Sequence, residues 1–176
     1  MPQTRSAYRP RPLDPSSLQA LAIRYVGRYA TTRAKLTDYL RRKIIERGWI
    51  DDSSPPLAAI IVQCVDAGYV DDRAFAEAKS RALARRGYGY RRVESSLYQS
   101  GIARDITESL RPDADSAFES AESFARKRRI GMFCTVPVDQ AAARRHFASM
   151  IRAGHSIALT RYFVNSVPDA DSIDDD

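Results

Sequence analysis

The sequence is poor in the residues that build most catalytic and metal centres. Its 176 residues include two histidines, two cysteines and one tryptophan. Cys64 and Cys134 are far apart, so they make neither a zinc pair nor a disulfide framework. His146 and His155 lie outside zinc-finger spacing. No apolar run approaches the roughly 18 residues a membrane span needs. The segment MPQTRSAYRPRPLDP lacks the apolar core of a signal peptide. These gaps predict a cytoplasmic protein with reduced thiols, no metal, no cofactor and no membrane association. Gly-Lys-Ser/Thr and G-x-S-x-G are missing, which removes the P-loop and the nucleophile elbow. Gly87-Tyr88-Gly89 fails the dinucleotide fingerprint, because Arg92 stands where its third glycine belongs and no strand precedes it. We therefore expect no enzymatic activity.

Arginine and alanine-rich amphipathic segments are abundant instead. Lys and Arg total 28 against 22 Asp and Glu, a net charge of +6. The imbalance is local. Residues 1–50 hold 11 Lys/Arg and 3 Asp/Glu, whereas residues 161–176 hold one Arg and five Asp. A basic body with an acidic end suits a polyanion, or a partner already bound to one. At 44% hydrophobic, the chain has enough apolar material for a core.

Glycines punctuate the apolar periodicity. A helix ending in a Schellman motif places Gly just beyond its last turn, and the next apolar residue touches the side chain four before that Gly. Gly48, Gly68, Gly87, Gly101 and Gly154 fit. Their contact pairs are Trp49 with Ile44, Tyr69 with Cys64, Tyr88 with Leu83, Ile102 with Leu97, and His155 with Met150. Gly131 is a weaker sixth. Polar starts match these stops: Thr31 or Thr32, Ser54 before Pro55, Asp71, Gly89, Asp115 or Ser116, Asp139 and Ser156. The pattern predicts nine helices, near 17–29, 32–47, 55–67, 72–86, 90–100, 103–110, 116–130, 139–153 and 157–166. Sustained period-two alternation is absent.

Two acidic pairs, Asp51–Asp52 and Asp71–Asp72, follow glycine stops and precede helices. That context predicts capping rather than acid–base or magnesium chemistry. For the second pair the logic is complete. Asp71 caps, Val70 and Phe75 form a hydrophobic staple, and Asp72 faces the positive end of the helix dipole. Arg85 and Arg86 face its negative end, and Gly87 supplies the left-handed exit.

Basic clusters are the candidate binding residues. Arg41-Arg42-Lys43 lies late in one helix. Glu77, Arg81 and Arg85 form a stripe, with Arg86 beside it. Arg91 and Arg92 open the next helix, so Arg81, Arg85, Arg91 and Arg92 can share one surface. Arg126-Lys127-Arg128-Arg129 and Arg144-Arg145 add two patches. Tyr88, Tyr90 and Tyr98 lie near the central cluster and offer rings for stacking on bases, with Tyr90 better suited to the core.

The stretch GYVDDRAFAEAKSRALARRGYGYRRVESSLYQSGI resembles the central repeat of the RecX family of recombination regulators. Gly68-Tyr69-Val70-Asp71-Asp72, Phe75-Ala76, Arg81, Gly87, Gly89, the pair Val93 and Leu97, and Gly101-Ile102 carry the resemblance. Residues 20–43 and 116–166 are similar in outline to the first and third repeats. GWIDDSSPPLAA, MFCTVPVDQ and Ala153-Gly154-His155-Ser156 depart from it. The resemblance implies an all-α chain of three tandem three-helix repeats in an elongated, curved array. It places the repeats at 16–68, 69–112 and 113–168; the proline- and arginine-rich residues 1–15 and the acidic residues 169–176 lie outside it, and their composition predicts disordered tails. It implies a monomer that binds the RecA recombinase and its filament on single-stranded DNA, inhibits ATP hydrolysis and strand exchange, and touches single- and double-stranded DNA weakly and non-specifically. Arg41, Arg42, Lys43, Arg81, Arg85, Arg86, Arg91, Arg92, Arg126, Arg128, Arg129, Arg144 and Arg145 would supply the contacts. Gly68, Tyr69, Asp71, Asp72, Phe75, Gly87, Gly89, Leu97 and Gly101 would form the structural motif beneath them. Short helices joined by glycine turns also build helix-turn-helix transcriptional regulators, the alternative reading.

Overall fold

A computed structural model describes residues 11–50 and 52–166. Nine α-helices and one 3-10 turn account for the regular structure of these residues. They are α1 (Pro15–Val26), α2 (Arg33–Arg47), α3 (Leu57–Asp66), α4 (Asp72–Arg85), α5 (Tyr90–Tyr98), α6 (Arg104–Ser109), α7 (Ala114–Arg128), the 3-10 turn Gly131–Phe133, α8 (Gln140–Arg152) and α9 (Ile157–Asn165). The fold is all-α; the sole extended pairing among the described residues is an isolated bridge between Leu13 and Trp49.

Local chemistry sets the helix ends. Asp14 accepts from Ser17 N while Ser17 Oγ accepts from Asp14 N, a reciprocal box that starts α1. Thr32, Asp71, Asp113, Asp139 and Ser156 each accept a first-turn N–H of the helix they precede. At Gly68, Gly87, Gly101 and Gly154 φ is positive, and the next residue's N–H returns to the helix as expected. After Gly101, for example, Ile102 N donates to Leu97 O at 3.1 Å.

Several ends differ from the sequence-based expectation. Helix α1 starts at Pro15 because Asp14, not a residue nearer Ser17, caps it. Helix α7 starts at Ala114 because Asp113 caps it, ahead of Asp115 and Ser116. Pro55 does not open α3; Pro56 holds the cap position, no side chain bonds there, and the helix begins at Leu57. Asp52 therefore caps nothing, and Asp51 lies outside the described residues. At the end of α7 the left-handed position falls on Arg129 (φ 51°), with Ile130 N donating to Ala125 O at 2.9 Å. Gly131 serves another need: a Cβ there would overlap the carbonyl oxygen of Phe163. The basic tail expected through residue 15 is corrected for its last part. Leu13 is fully buried and exchanges backbone hydrogen bonds with the Gly48–Ile50 segment, so apolar burial orders residues 11–15. Residues 1–10 and the expected acidic tail at 169–176 lie outside the described residues.

Contacts divide the chain into two units, residues 1–75 and 76–176, with the division inside α4. The first unit is built on Leu13, Leu18, Ala22, Leu36, Leu40, Ile60, Cys64 and Val70. Its chain wraps Trp49 against Ser53, whose carbonyl accepts from the indole N–H at 2.7 Å. Burial pushes the Cys64 thiol pKa up, as an apolar pocket must.

The second unit centres on Ala121, Phe124, Ala125, Ile130, Met150, Ala153 and Phe163. Two glycine turns meet backbone to backbone beside this core. Gly89 N donates to Ala153 O (2.9 Å), and Arg91 N donates to Gly154 O (3.2 Å). A Cβ on Gly89 would come within 2.4 Å of both atoms of the Gly154 carbonyl and 2.6 Å of His155 N. His155 is buried, its Nε2 donates to Gly87 O at 3.0 Å, and its ring lies 5.4 Å from Phe124. Neither histidine lies free on a helix surface: His146 is half-buried too.

Two predictions separate the physical causes. Gly89 has φ −75°, which any residue adopts, so Gly89→Ala introduces only a clash. Urea unfolding should show a loss of about 3 kcal/mol, the upper range for overpacking. Gly68 has φ +72° and open space around a Cβ, so Gly68→Ala should cost only the left-handed penalty, about 1 kcal/mol. Equal losses would contradict the contact. The second concerns pH. Desolvation lowers the His155 pKa below its ordinary 6.5, and the bond to Gly87 O opposes this less strongly. As pH falls below 6.5, the unfolded chain takes up a proton that the folded chain resists. Stability is therefore complete above that pH and declines as pH approaches the folded value, levelling off below it. Melting temperature should fall between pH 7 and 5, and His155→Gln should flatten that slope.

Candidate functional site

The carboxylate pair at the start of α4 is already committed to backbone. Asp71 Oδ1 accepts from Ala74 N and caps α4, as expected. Asp72 Oδ1 accepts from Arg33 N at 2.9 Å, the first residue of α2. One pair therefore caps two helices. Among the described residues, no three His, Cys, Asp or Glu side chains gather as a metal would require.

Leu97 lies beneath the surface, in the core of α5. It belongs to the motif carrying the family resemblance, yet its side chain is fully buried on α5, with Val93 buried one turn before it. Its burial fits the structural part expected of it within the motif, beneath the exposed cations. Apolar burial retains it, and its carbonyl anchors the Gly101 stop.

The basic residues divide by whether an acid accompanies them. On α2, Arg41 pairs with Asp38 (3.9 Å), while Arg42 (3.6 Å) and Lys43 (2.5 Å) share Glu46. The hydrogen bond from Lys43, with the charges of Lys43 and Arg42, holds the Glu46 carboxyl below its usual pKa. Arg81 pairs with Glu77 at 3.6 Å, and Arg126 with Glu122 at 2.9 Å. Such exposed pairs stabilise little, about 0–1 kcal/mol each. They do reduce the local positive potential. Arg85, Arg86, Arg91, Arg92, Lys127, Arg128 and Arg129 are all exposed, and none has an acid at ion-pair distance among the described residues.

The fold brings two of this uncompensated set over one ring. Tyr88 sits in the turn between α4 and α5. The Arg86 guanidinium lies 5.1 Å and that of Arg92 5.9 Å from its centroid. The face of a tyrosine ring attracts cations, so the ring holds both without neutralising either. Tyr88 in turn lies 6.4 Å from Phe124 on α7, and Arg128 lies over Phe124 at 5.7 Å. Lys127 Nζ donates to the carbonyl of Arg85 at 3.2 Å. The end of α4, the start of α5 and the end of α7 thus present cations together. Guanidinium forks bind phosphate or carboxylate bidentately, so this face can grip an anionic partner.

Arg81 and Arg91, expected on the same surface as Arg85 and Arg92, have other neighbours. Arg81 faces Glu77. Arg91 lines a cleft of about 300 Å³ with Tyr90, Arg111, Ser116, Ser120 and Ser156. Tyr90 is structural: its hydroxyl donates to Thr107 O at 2.9 Å, and burial raises its pKa. Tyr98 is 80% exposed. Tyr69 is also exposed, so its part in the Gly68 stop is its N–H, which donates to Cys64 O. Arg144 and Arg145 lie exposed on α8, without an ion pair among the described residues. Sequence reasoning missed Phe124 and His155 as supports of the cluster. The available signal was the aromatic position after Gly154, which His155 fills.

Similarity to known proteins follows this arrangement. A family model described as RecX, second three-helix domain, matches residues 71–109, from the cap of α4 to the end of α6. Regulatory protein RecX of Myxococcus xanthus (strain DK1622) is 29% identical over 180 residues, covering 93% of this chain and 92% of that one. Regulatory protein RecX of Mycobacterium sp. (strain KMS) is 31% identical over 156 residues, covering 85% and 83%. The crystal structure of RecX from Lactobacillus salivarius has a TM-score of 0.63 and 18% identity, covering 90% of this chain and 96% of that one, a likeness of fold. With the same all-helical architecture and identity sustained along most of both sequences, this chain belongs to the RecX family of regulatory proteins.

Proposed function

We propose that this protein is a non-enzymatic, cytoplasmic regulator that binds the RecA recombinase and its filament on single-stranded DNA. It inhibits ATP hydrolysis and strand exchange, and so modulates homologous recombination, DNA repair and the SOS response. The observation that carries this reading is the cation set around Tyr88, without acidic partners among the described residues and formed largely within the segment that matches the family model. A nucleoprotein filament is a polyanion of fixed geometry, and arginines on a rigid turn suit it. We read the chain as a monomer with repeats at 16–68, 69–112 and 113–168. Its DNA contacts are weak and non-specific, and Arg85, Arg86, Arg92, Lys127 and Arg128 are the principal contacts.

RecA ATPase on single-stranded DNA, with this protein titrated in, tests the reading. Wild type should inhibit and should co-sediment with the filaments. The combination Arg86→Gln, Arg92→Gln and Arg128→Gln should raise the half-inhibitory concentration at least ten-fold. Its melting should change little, because exposed substitutions usually stay within about 0.5 kcal/mol. No inhibition and no co-sedimentation would reject the proposal. A preference of about 10³-fold or more for one duplex sequence would favour a transcriptional regulator instead.

A further inference from the structure

The first unit carries a cationic, aromatic cleft of its own, about 460 Å³ in volume, between α1 and α2. Three tyrosines form its floor. Tyr25 and Tyr39 stack with centroids 4.1 Å apart and planes inclined by 19°. Tyr29 leans on Tyr25 at 5.2 Å and 51°. Tyr25 and Tyr39 pack partly against the hydrophobic core, so folding alone accounts for them. It does not account for Tyr29, which is 54% exposed. The backbone N–H of Tyr29 donates to Tyr25 O at 3.0 Å, which holds its main chain against the end of α1.

Four cations complete the lining, and no carboxylate among the described residues belongs to it. Arg42 and Lys43 stand 5.9 Å from the Tyr39 centroid and share Glu46. Arg24 and Arg28 have no ion pair among the described residues. Arg24-Tyr25 and Arg28-Tyr29 repeat one cation–ring pair about a helical turn apart. Alternating rings and cations match alternating bases and phosphates. A ring can stack on a base only when that base is unpaired.

We propose that this cleft binds single-stranded nucleic acid, with one unpaired base stacked on Tyr29 and the flanking phosphates on Arg24 and Arg28. DNA and RNA share the required chemistry. The inference rests on this unit's own side chains and not on the recombinase reading.

Fluorescence anisotropy tests it with the full chain, no recombinase, and labelled oligothymidylate, oligouridylate and a duplex of equal length. Wild type should bind at least one single strand, and the tighter of the two identifies the polymer. Tyr29→Ala should weaken that binding about ten-fold, within the range for loss of one stacked base. Tyr29→Phe should retain it, and Tyr29→Leu, which keeps an apolar side chain without a π-face, should lose it similarly. Arg24→Gln with Arg28→Gln should reduce the salt slope by roughly 1.4, about 0.7 per phosphate contact on a single strand. Duplex binding should not depend on Tyr29. The proposal fails if wild type binds neither single strand, if Tyr29→Ala and Tyr29→Leu bind as wild type does, or if duplex binding falls equally. The recombinase assay is unaffected by these outcomes and is judged separately.

Discussion

The second unit depends on the apposition of two backbone turns, Gly87–Gly89 and Ala153–His155. Each hydrogen bond between them has a polar group that would otherwise sit beside an apolar core. Unpaired, such a group costs about 1–3 kcal/mol. The approach is too close for a side chain at Gly89 or Gly154. His155 then fills the space below, donates to Gly87 O, and joins Phe124 beneath Tyr88. The ring that gathers Arg86 and Arg92 is thus fixed from the polypeptide itself, not from a flexible surface loop. A cationic face held this way has little conformational freedom left to lose.

Charge count alone is a poor guide to where that face lies. Arg41-Arg42-Lys43 and Arg126 are dense in sequence, yet Asp38, Glu46 and Glu122 reach them through i,i+3 and i,i+4 geometry. The turn at Tyr88 interrupts the helix and with it that regular spacing. Arg86 and Arg92 therefore find a ring rather than a carboxylate. The two environments differ in potential although their formal cation content is similar.

Helix ends were legible in the sequence because they follow local backbone demands. Gly48, Gly68, Gly87, Gly101 and Gly154 all adopt positive φ, and Thr32, Asp71, Asp139 and Ser156 all cap. Errors arose where a neighbour competed for the same role. Asp113 pre-empted Asp115, Pro56 displaced Pro55, and Arg129 ended α7 two residues ahead of Gly131, which is itself left-handed. The cation cluster at Tyr88 was half legible. Arg86, Tyr88 and Arg92 are close in sequence, so their meeting is a property of one turn. Leu97, from the same stretch, turns inward, because the helical period that exposes Arg91 and Arg92 buries Val93 and Leu97. Phe124, Lys127 and Arg128 join through tertiary packing, which no periodicity encodes. The same limit hid the Tyr25–Tyr39 stack, since two rings 14 positions apart reveal nothing until α1 and α2 are laid together.

Asp72 gives the first unit an unusual dependence. It belongs to α4, yet it satisfies the leading N–H of α2, and Val70 beside it completes the core around Leu36 and Leu40. A fragment trimmed to the first three helices would retain most of its apolar side chains but lose both the acceptor and that valine. The shortest autonomous piece is thus longer than its helix count suggests. Any dissection of this chain should keep the opening turn of α4 with the helices before it.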